Sequence, residues 1–97
     1  MDTEIDTRRR FSVELRGAYF FRAPKTPNRS VRRNTPATLI VMQAGIYRAE
    51  TGTGDEAVGV VARAGDVVFW PAGTDRVETN DGLHPARCIV CQFEWAD

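Results

Sequence analysis

The stretch GDVVFWPAGTDRVETN, from Gly65 to Asn80, decides the fold. It holds a short apolar run at 66–70, a Pro-Ala-Gly turn at 71–73 and a polar run at 75–79. Proline presets the backbone angle of a tight turn, and glycine adopts the positive φ that such turns require. The stretch therefore predicts two β-strands joined by a tight turn, the first buried and the second polar.

The remainder of the chain also has the pattern of short strands separated by turns. We predict strands at 11–21, with Gly17 as a β-bulge, at 38–42 and at 87–95, and a hairpin over 46–63. Residues 38–42 are apolar on both faces, which predicts a buried central strand or a sandwich-core strand. Residues 22–36 hold three prolines without an apolar period, which predicts a loop or an irregular edge segment. About seven short strands without helical periodicity indicate an all-β sandwich or barrel.

Length and composition limit the classes of protein to consider. The 97 residues suit one domain, which we place at 11–97 after a flexible N-terminal arm at 1–10. No apolar run approaches the roughly 18 residues of a membrane span, so we expect no membrane partner. The N-terminus lacks the apolar core of a signal peptide, and two cysteines suit a reducing compartment, so we expect a cytoplasmic protein.

Four positions of the opening stretch match a known signature. Gly65, Pro71, Gly73 and Asn80 have the spacing of the second cupin signature, and the chain from about 17 to 95 resembles the cupin superfamily. The segments TLIVMQAG (38–45) and CIVCQFEW (88–95) resemble the arm and sugar-sensing domain of AraC-type transcription regulators. The resemblance implies a small jelly-roll barrel, a homodimer and a small-molecule ligand such as a carbohydrate. It implies DNA contact only through a helix-turn-helix region, which this sequence does not contain.

The cupin metal ligands are replaced in this sequence. Arg76 stands where the second signature has a metal-binding histidine. If the last glycine of the first signature is Gly45, its two histidines fall on Arg32 and Asn34 and its acid on Thr38. Arginine repels a cation, and a sequence with one histidine cannot supply a three-histidine site. We therefore expect no metal and no other cofactor.

The same replacement suggests a polar ligand site. Arg76 would point into the barrel, where a buried cation needs a partner, supplied by a ligand or by Glu78 or Glu50. The alternative is an internal ion pair without a ligand. The pattern offers no catalytic residues, and the predicted ligand-binding residues are Arg76, Arg32, Trp70, Tyr47 and Glu78.

Two other motifs receive a structural interpretation. Cys88 and Cys91 have CxxC spacing, but on a strand residues i and i+3 face opposite sides, which argues against zinc or redox chemistry. The arginines at 8–10 and 29–33 have no recognition helix beside them, so we do not expect them to bind DNA directly.

The sequence thus predicts the effector-binding and dimerisation domain of an AraC-like regulator, working without metal. A free-standing small cupin is the alternative, in one of two forms. It could be a metal-independent sugar isomerase or epimerase, with His84 as the base that titrates near neutral pH. It could also be a non-catalytic dimerisation module with a filled interior.

Overall fold

The computed structural model describes residues 12–52 and 54–96, and the side chains of 14–52 and 55–94. It contains eight strands: β1 Ser12–Arg22, β2 Asn28–Arg32, β3 Ala37–Ala44, β4 Ile46–Thr51, β5 Val58–Arg63, β6 Val67–Trp70, β7 Arg76–Asn80 and β8 Arg87–Ala96. A single 3₁₀ turn, Gly54–Glu56, lies between β4 and β5. Within the described ranges, no helix has the length and hydropathy to cross a membrane.

The strands form two antiparallel sheets of four. Sheet 1 has the order β1-β8-β3-β6, and sheet 2 has the order β2-β7-β4-β5. The all-β prediction is confirmed. The bulge predicted at Gly17 is confirmed as well, since the pairing of β1 with β8 shifts between Leu15 and Gly17. The predicted hairpin over 46–63 is the β4–β5 pair.

Alternation along the strands determines which side chains fill the space between the sheets. Residues on the inner face of sheet 1 include Ile40, Met42, Val68, Cys88 and Val90, all of them buried. Tyr47, Ala49 and Ala62 meet them from sheet 2. Cys88 is buried and Cys91 lies on the outer face, as the strand period predicts.

The segment 22–36, predicted as a loop or an irregular edge segment, contains a regular edge strand in its second half. Residues 28–32 form β2, an edge strand that pairs with β7. No apolar period marked this strand because its inner face carries Asn28, Ser30 and Arg32, opposite Asn80, Glu78 and Arg76. The strand is therefore held by backbone pairing and by polar contacts between the sheets, which an apolar pattern does not reveal.

Gly45 joins β3 to β4 at a point where two chain segments touch. Its φ is +76°, and a Cβ there would lie 2.0 Å from the carbonyl oxygen of Pro85. The close approach allows the amide of Ile46 to donate to the carbonyl of His84 at 3.0 Å. This glycine meets both a conformational and a steric requirement.

We predict that Gly45→Ala lowers the free energy of unfolding by at least about 2 kcal/mol, because the new methyl group adds a backbone clash to the cost of a positive φ. Gly59→Ala is the control, since its site in β5 has no atom within 4 Å of the added Cβ. Chemical denaturation should show little change for Gly59→Ala. Equal stability of the two variants would contradict the prediction.

Candidate functional site

Arg76 begins β7 and points between the sheets, as predicted. Residues 76, 78 and 80 share the inner face of this strand because the strand period is two. Only 6% of Arg76 is exposed to solvent. A guanidinium this buried requires hydrogen-bond partners and a counter-charge from the protein.

Glu78 supplies the counter-charge. Its Oε2 accepts from Nε of Arg76 at 3.1 Å, and its Oε1 accepts from Nε of Arg32 at 3.1 Å. Arg76 also donates through Nη1 to the hydroxyl of Thr35 at 3.0 Å. The two arginines are direct cross-strand partners, so the carboxylate bridges like charges that would otherwise repel.

Two aromatic side chains complete the cluster. The hydroxyl of Tyr47 donates to Oε2 of Glu78 at 2.5 Å and accepts from the indole Nε1 of Trp70 at 3.0 Å. The guanidinium carbon of Arg76 lies 5.3 Å from the centre of the Trp70 ring, within the range of a cation–π contact. We call Arg32, Tyr47, Trp70, Arg76 and Glu78 the inner cluster.

The electrostatics of the inner cluster follow from burial and these bonds. Burial acts to raise the pKa of Glu78, but the bonds from Tyr47 and Arg76 outweigh it and bring that pKa below its ordinary 4.5. Burial, followed by the bond to Glu78, raises the pKa of Tyr47. Burial and the Glu78 charge raise the pKa of Cys88 to about 11. Glu78 is therefore charged at neutral pH, whereas the hydroxyl of Tyr47 and the thiol of Cys88 stay protonated.

A cavity of about 90 Å³ lies between the sheets beside the inner cluster. Sheet 2 contributes Arg32, Tyr47, Arg76 and Glu78 to its wall. Sheet 1 contributes a mixed wall that includes Tyr19, Thr38, Cys88 and Gln92. The cavity is smaller than the engineered cavity of about 150 Å³ that admits benzene, and it would hold about three waters.

The structure brings together all five residues that the sequence proposed for a ligand site, although their role toward a ligand stays a prediction. Thr38 is fully buried in the cavity wall, whereas Asn34 is exposed, with φ of +49°. Glu50 is directly opposite Val77, which places it on the outer face of sheet 2, so it does not pair with Arg76. Sequence reasoning missed Thr35 and Gln92 because their neighbours in space belong to distant strands.

The residues at the cupin metal positions do not fit a metal ion. The donor set is two guanidiniums, an exposed amide and a hydroxyl, and the buried guanidinium already holds a carboxylate. Among the described residues, no group of three or more His, Cys, Asp or Glu could hold a metal ion. We therefore derive no step through a metal.

His84 lies apart from the cavity. Its side chain is 60% exposed, and its Nδ1 is 3.7 Å from a carboxylate oxygen of Asp81. Asp81 accepts from the backbone amides of Leu83 and His84, and these bonds lower its pKa to about 2. The carboxylate fixes the loop before β8. Glu78, the carboxylate within the cavity, is a weak base near neutral pH because of its lowered pKa.

The outer surface of sheet 1 is apolar. We call it the apolar face and define it by the outward residues that retain accessible surface: Leu15, Ala18, Phe20, Leu39, Val41, Val67, Phe69, Ile89, Cys91 and Phe93. Phe20 is 75% exposed and Phe69 is 51% exposed. The outer surface of sheet 2 instead mixes the charged side chains of Arg29, Arg48, Glu50 and Arg63 with exposed valines such as Val31 and Val61. The strand at 38–42 is an internal strand of sheet 1 with its inner face in the core, as predicted, but Leu39 and Val41 on its outer side remain partly exposed.

We predict that Glu78→Gln lowers the free energy of unfolding at pH 7 by about 3 kcal/mol, because it leaves the buried Arg76 without a counter-charge. Glu94→Gln is the control. It removes a carboxylate 2.9 Å from Arg16, but both side chains are more than half exposed, so the loss should stay below about 1 kcal/mol.

The loss of unfolding free energy in Glu78→Gln should also depend on pH. A folded-state pKa below the ordinary 4.5 means that the charge of Glu78 stabilises the fold above pH 4.5. This contribution is lost as the pH falls through the folded-state pKa. Denaturant titrations from pH 7 to pH 3 should therefore show the stability difference between wild type and Glu78→Gln shrinking. A constant difference would rule out Glu78 as an ionised partner.

No protein-family model and no curated protein matches the chain. Solved structures share its fold. Drosophila melanogaster CENP-C bound to CAL1 matches with TM-score 0.62 and 18% identity, covering 79% of this chain and 63% of that one. A cupin domain from Bordetella pertussis matches with TM-score 0.61 and 14% identity, covering 87% and 93%. A cupin superfamily protein from Desulfitobacterium hafniense matches with TM-score 0.62 and 9% identity, covering 95% and 82%.

These identities establish the fold alone. The chain spans 63% and 59% of two of the CENP-C chains that it resembles, so it corresponds to part of them. The match to cupin domains agrees with the two antiparallel four-stranded sheets. The described part of the chain is a small all-β domain with the cupin jelly-roll fold.

Proposed function

We propose that this domain is the effector-binding and dimerisation part of an AraC-like transcription regulator, that it works without metal, and that its effector carries a carboxylate. The observation that carries the proposal is the position of Arg32 in the cavity wall, with its side chain 47% exposed. Among the described residues, only its Nε has a partner, Glu78. Its terminal nitrogens are free to form the paired bonds that arginine makes with carboxylates.

The size of the cavity favours a carboxylate as the inserted group. A whole sugar ring exceeds a space of about 90 Å³ unless the cavity widens, whereas a carboxylate fits as it stands. Gln92 and Tyr19 lie in the same wall and offer further polar contacts. A sugar acid would place its carboxylate on Arg32 and its ring at the opening.

Ligand binding would act through β2. Among the described strands, this edge strand pairs only with β7, and the Arg32–Glu78 bond connects it to the inner cluster. A carboxylate on the terminal nitrogens of Arg32 would place a second anion beside Glu78, weaken the Arg32–Glu78 bond and alter the population of conformers at this edge. DNA would be read by helix-turn-helix units outside this sequence.

The test is thermal unfolding with glucuronate, with glucose as the neutral counterpart. Ligand at about 100 times its dissociation constant adds about 2.7 kcal/mol, which for a domain of this size is a shift of roughly 10 °C. We expect this shift with glucuronate, a smaller one with glucose, and none with Mn²⁺ or Ni²⁺.

The matched variants are Arg32→Gln and Arg29→Gln. Both lie in β2, but Arg29 is opposite Thr79 on the outer face. The glucuronate shift should disappear in the first variant and persist in the second. A shift with metal ions alone, or equal shifts in both variants, would overturn the proposal.

A non-catalytic dimerisation module is the second candidate. The apolar face favours it, because monomeric domains seldom expose a contiguous apolar patch of this extent. In this case the internal bonds of the inner cluster would serve only to hold the barrel together.

We predict that the chain is a homodimer at tens of micromolar, without added ligand, in sedimentation equilibrium. Burial of the apolar face would provide the driving force. A monomer across this concentration range would exclude the dimerisation module, and the glucuronate test would then decide the effector-binding proposal separately.

A further inference from the structure

We infer that the occupant of the apolar face is a second copy of this chain, packed face to face about a two-fold axis that runs across the strands at Cys91. This inference rests on the proposed dimerisation and adds the surface and the orientation. The charged outer surface of sheet 2 would remain in solvent.

The accessible area is sufficient for such a contact. Phe20 is 75% exposed, Leu15 and Val67 are each 58% exposed, and Phe69 is 51% exposed. Together with the partly exposed residues of the face, these fractions amount to on the order of 600 Å² per protomer. Two copies would bury about 1,200 Å², the lower limit for specific interfaces.

The strand register arranges the apolar face in rows that run across the sheet. The middle row is Ala18, Cys91, Leu39 and Phe69, one residue from each strand in sheet order. Toward one end of the strands the next row is Phe20, Ile89, Val41 and Val67, and toward the other end lie Leu15 and Phe93. An axis along the middle row places each of its residues against its own copy, with Cys91 facing Cys91.

Charge at one end of the strands selects this axis. Beyond the row that contains Phe20, Arg22 and Arg87 are direct cross-strand partners. No described carboxylate forms an ion pair with either of them. An axis along the strands would bring the two arginine pairs of a dimer together, which is unfavourable. An axis along the middle row turns the strands of the second protomer's sheet 1 end for end, which places the two arginine pairs at opposite ends of the interface.

A second copy also matches the chemistry of the face. Apolar residues lie on both sides of the middle row. A two-fold rotation about that row therefore sets apolar surface of one protomer against apolar surface of the other. Sheets that pack on each other in sandwiches lie about 10 Å apart with interdigitating apolar side chains.

The location is tested with two valine variants of the full chain. Val67→Glu adds a charge to the apolar face, and Val61→Glu adds the same charge to the outer face of sheet 2, where Val61 is opposite Arg48. The two valines are 58% and 53% exposed. Sedimentation equilibrium should show dimerisation weakened at least about tenfold by Val67→Glu and unchanged within about twofold by Val61→Glu.

The orientation is tested by a spin label at Arg87→Cys in a Cys91→Ala background. Cys88 is 2% exposed and stays unlabelled. Position 87 lies four residues from the middle row, about 14 Å along the strand. Pulsed dipolar spectroscopy should therefore give about 30 Å between the two labels of a dimer, whereas an axis along the strands would give about 15 Å or less.

The outcomes separate the inference from the proposed function. A monomeric wild type would remove both the dimerisation module and this interface. A dimer that resists Val67→Glu would overturn the interface and leave the dimer in place. A dimer sensitive to Val67→Glu with a short label distance would overturn the orientation. Both variants must retain cooperative unfolding, which shows that the charge acts on association.

Discussion

The carboxylate of Glu78 is the interaction on which the interior depends. Arg32 and Arg76 face each other across β2 and β7, and without an anion between them their repulsion would oppose the pairing of these strands. The same carboxylate holds the hydroxyl of Tyr47, and through it the indole of Trp70. One acidic side chain thus links an edge strand, a central strand and the opposite sheet.

Much of the fold was predictable because local signals were strong. The Pro-Ala-Gly turn, the short apolar runs and the glycines at turns gave the β6–β7 turn, the β4–β5 hairpin and the bulge at Gly17. The inward direction of Arg76 was expected from the metal ligand that it replaces in the cupin signature, and Glu78 was one of the partners proposed for it. The regular pairing of β2 with β7 was not predicted because the inward residues of β2 are polar, and their partners lie 44 or more positions away in the sequence. Patterns within one segment cannot report partners at that distance.

The sequence shows apolar residues on both faces of two strands, but it does not show what covers the outer face. Runs such as TLIVM and VVFW carry apolar residues on both faces. In a fold of two layers, only one face of each sheet meets the other sheet, so the second apolar face needs a cover from elsewhere. Apolar residues on both faces of a strand show that the strand lies in a sheet covered on both sides only if the fold is known to have three layers. In a chain of 97 residues, the same pattern equally indicates association.

The placement of β8 between β1 and β3 has a consequence for how the chain folds. The strands β1 and β3 cannot be joined in sheet 1 until β8 has been synthesised, since in the described part of the chain β1 pairs only with β8, and Arg16 bonds to Glu94 across 78 positions. The β4–β5 hairpin can form on the ribosome, whereas β1 must wait with its aromatic residues unpaired. Contacts of such long range predict slow folding, in milliseconds to seconds. During that interval the N-terminal strand is the segment most exposed to misassociation and to capture by chaperones.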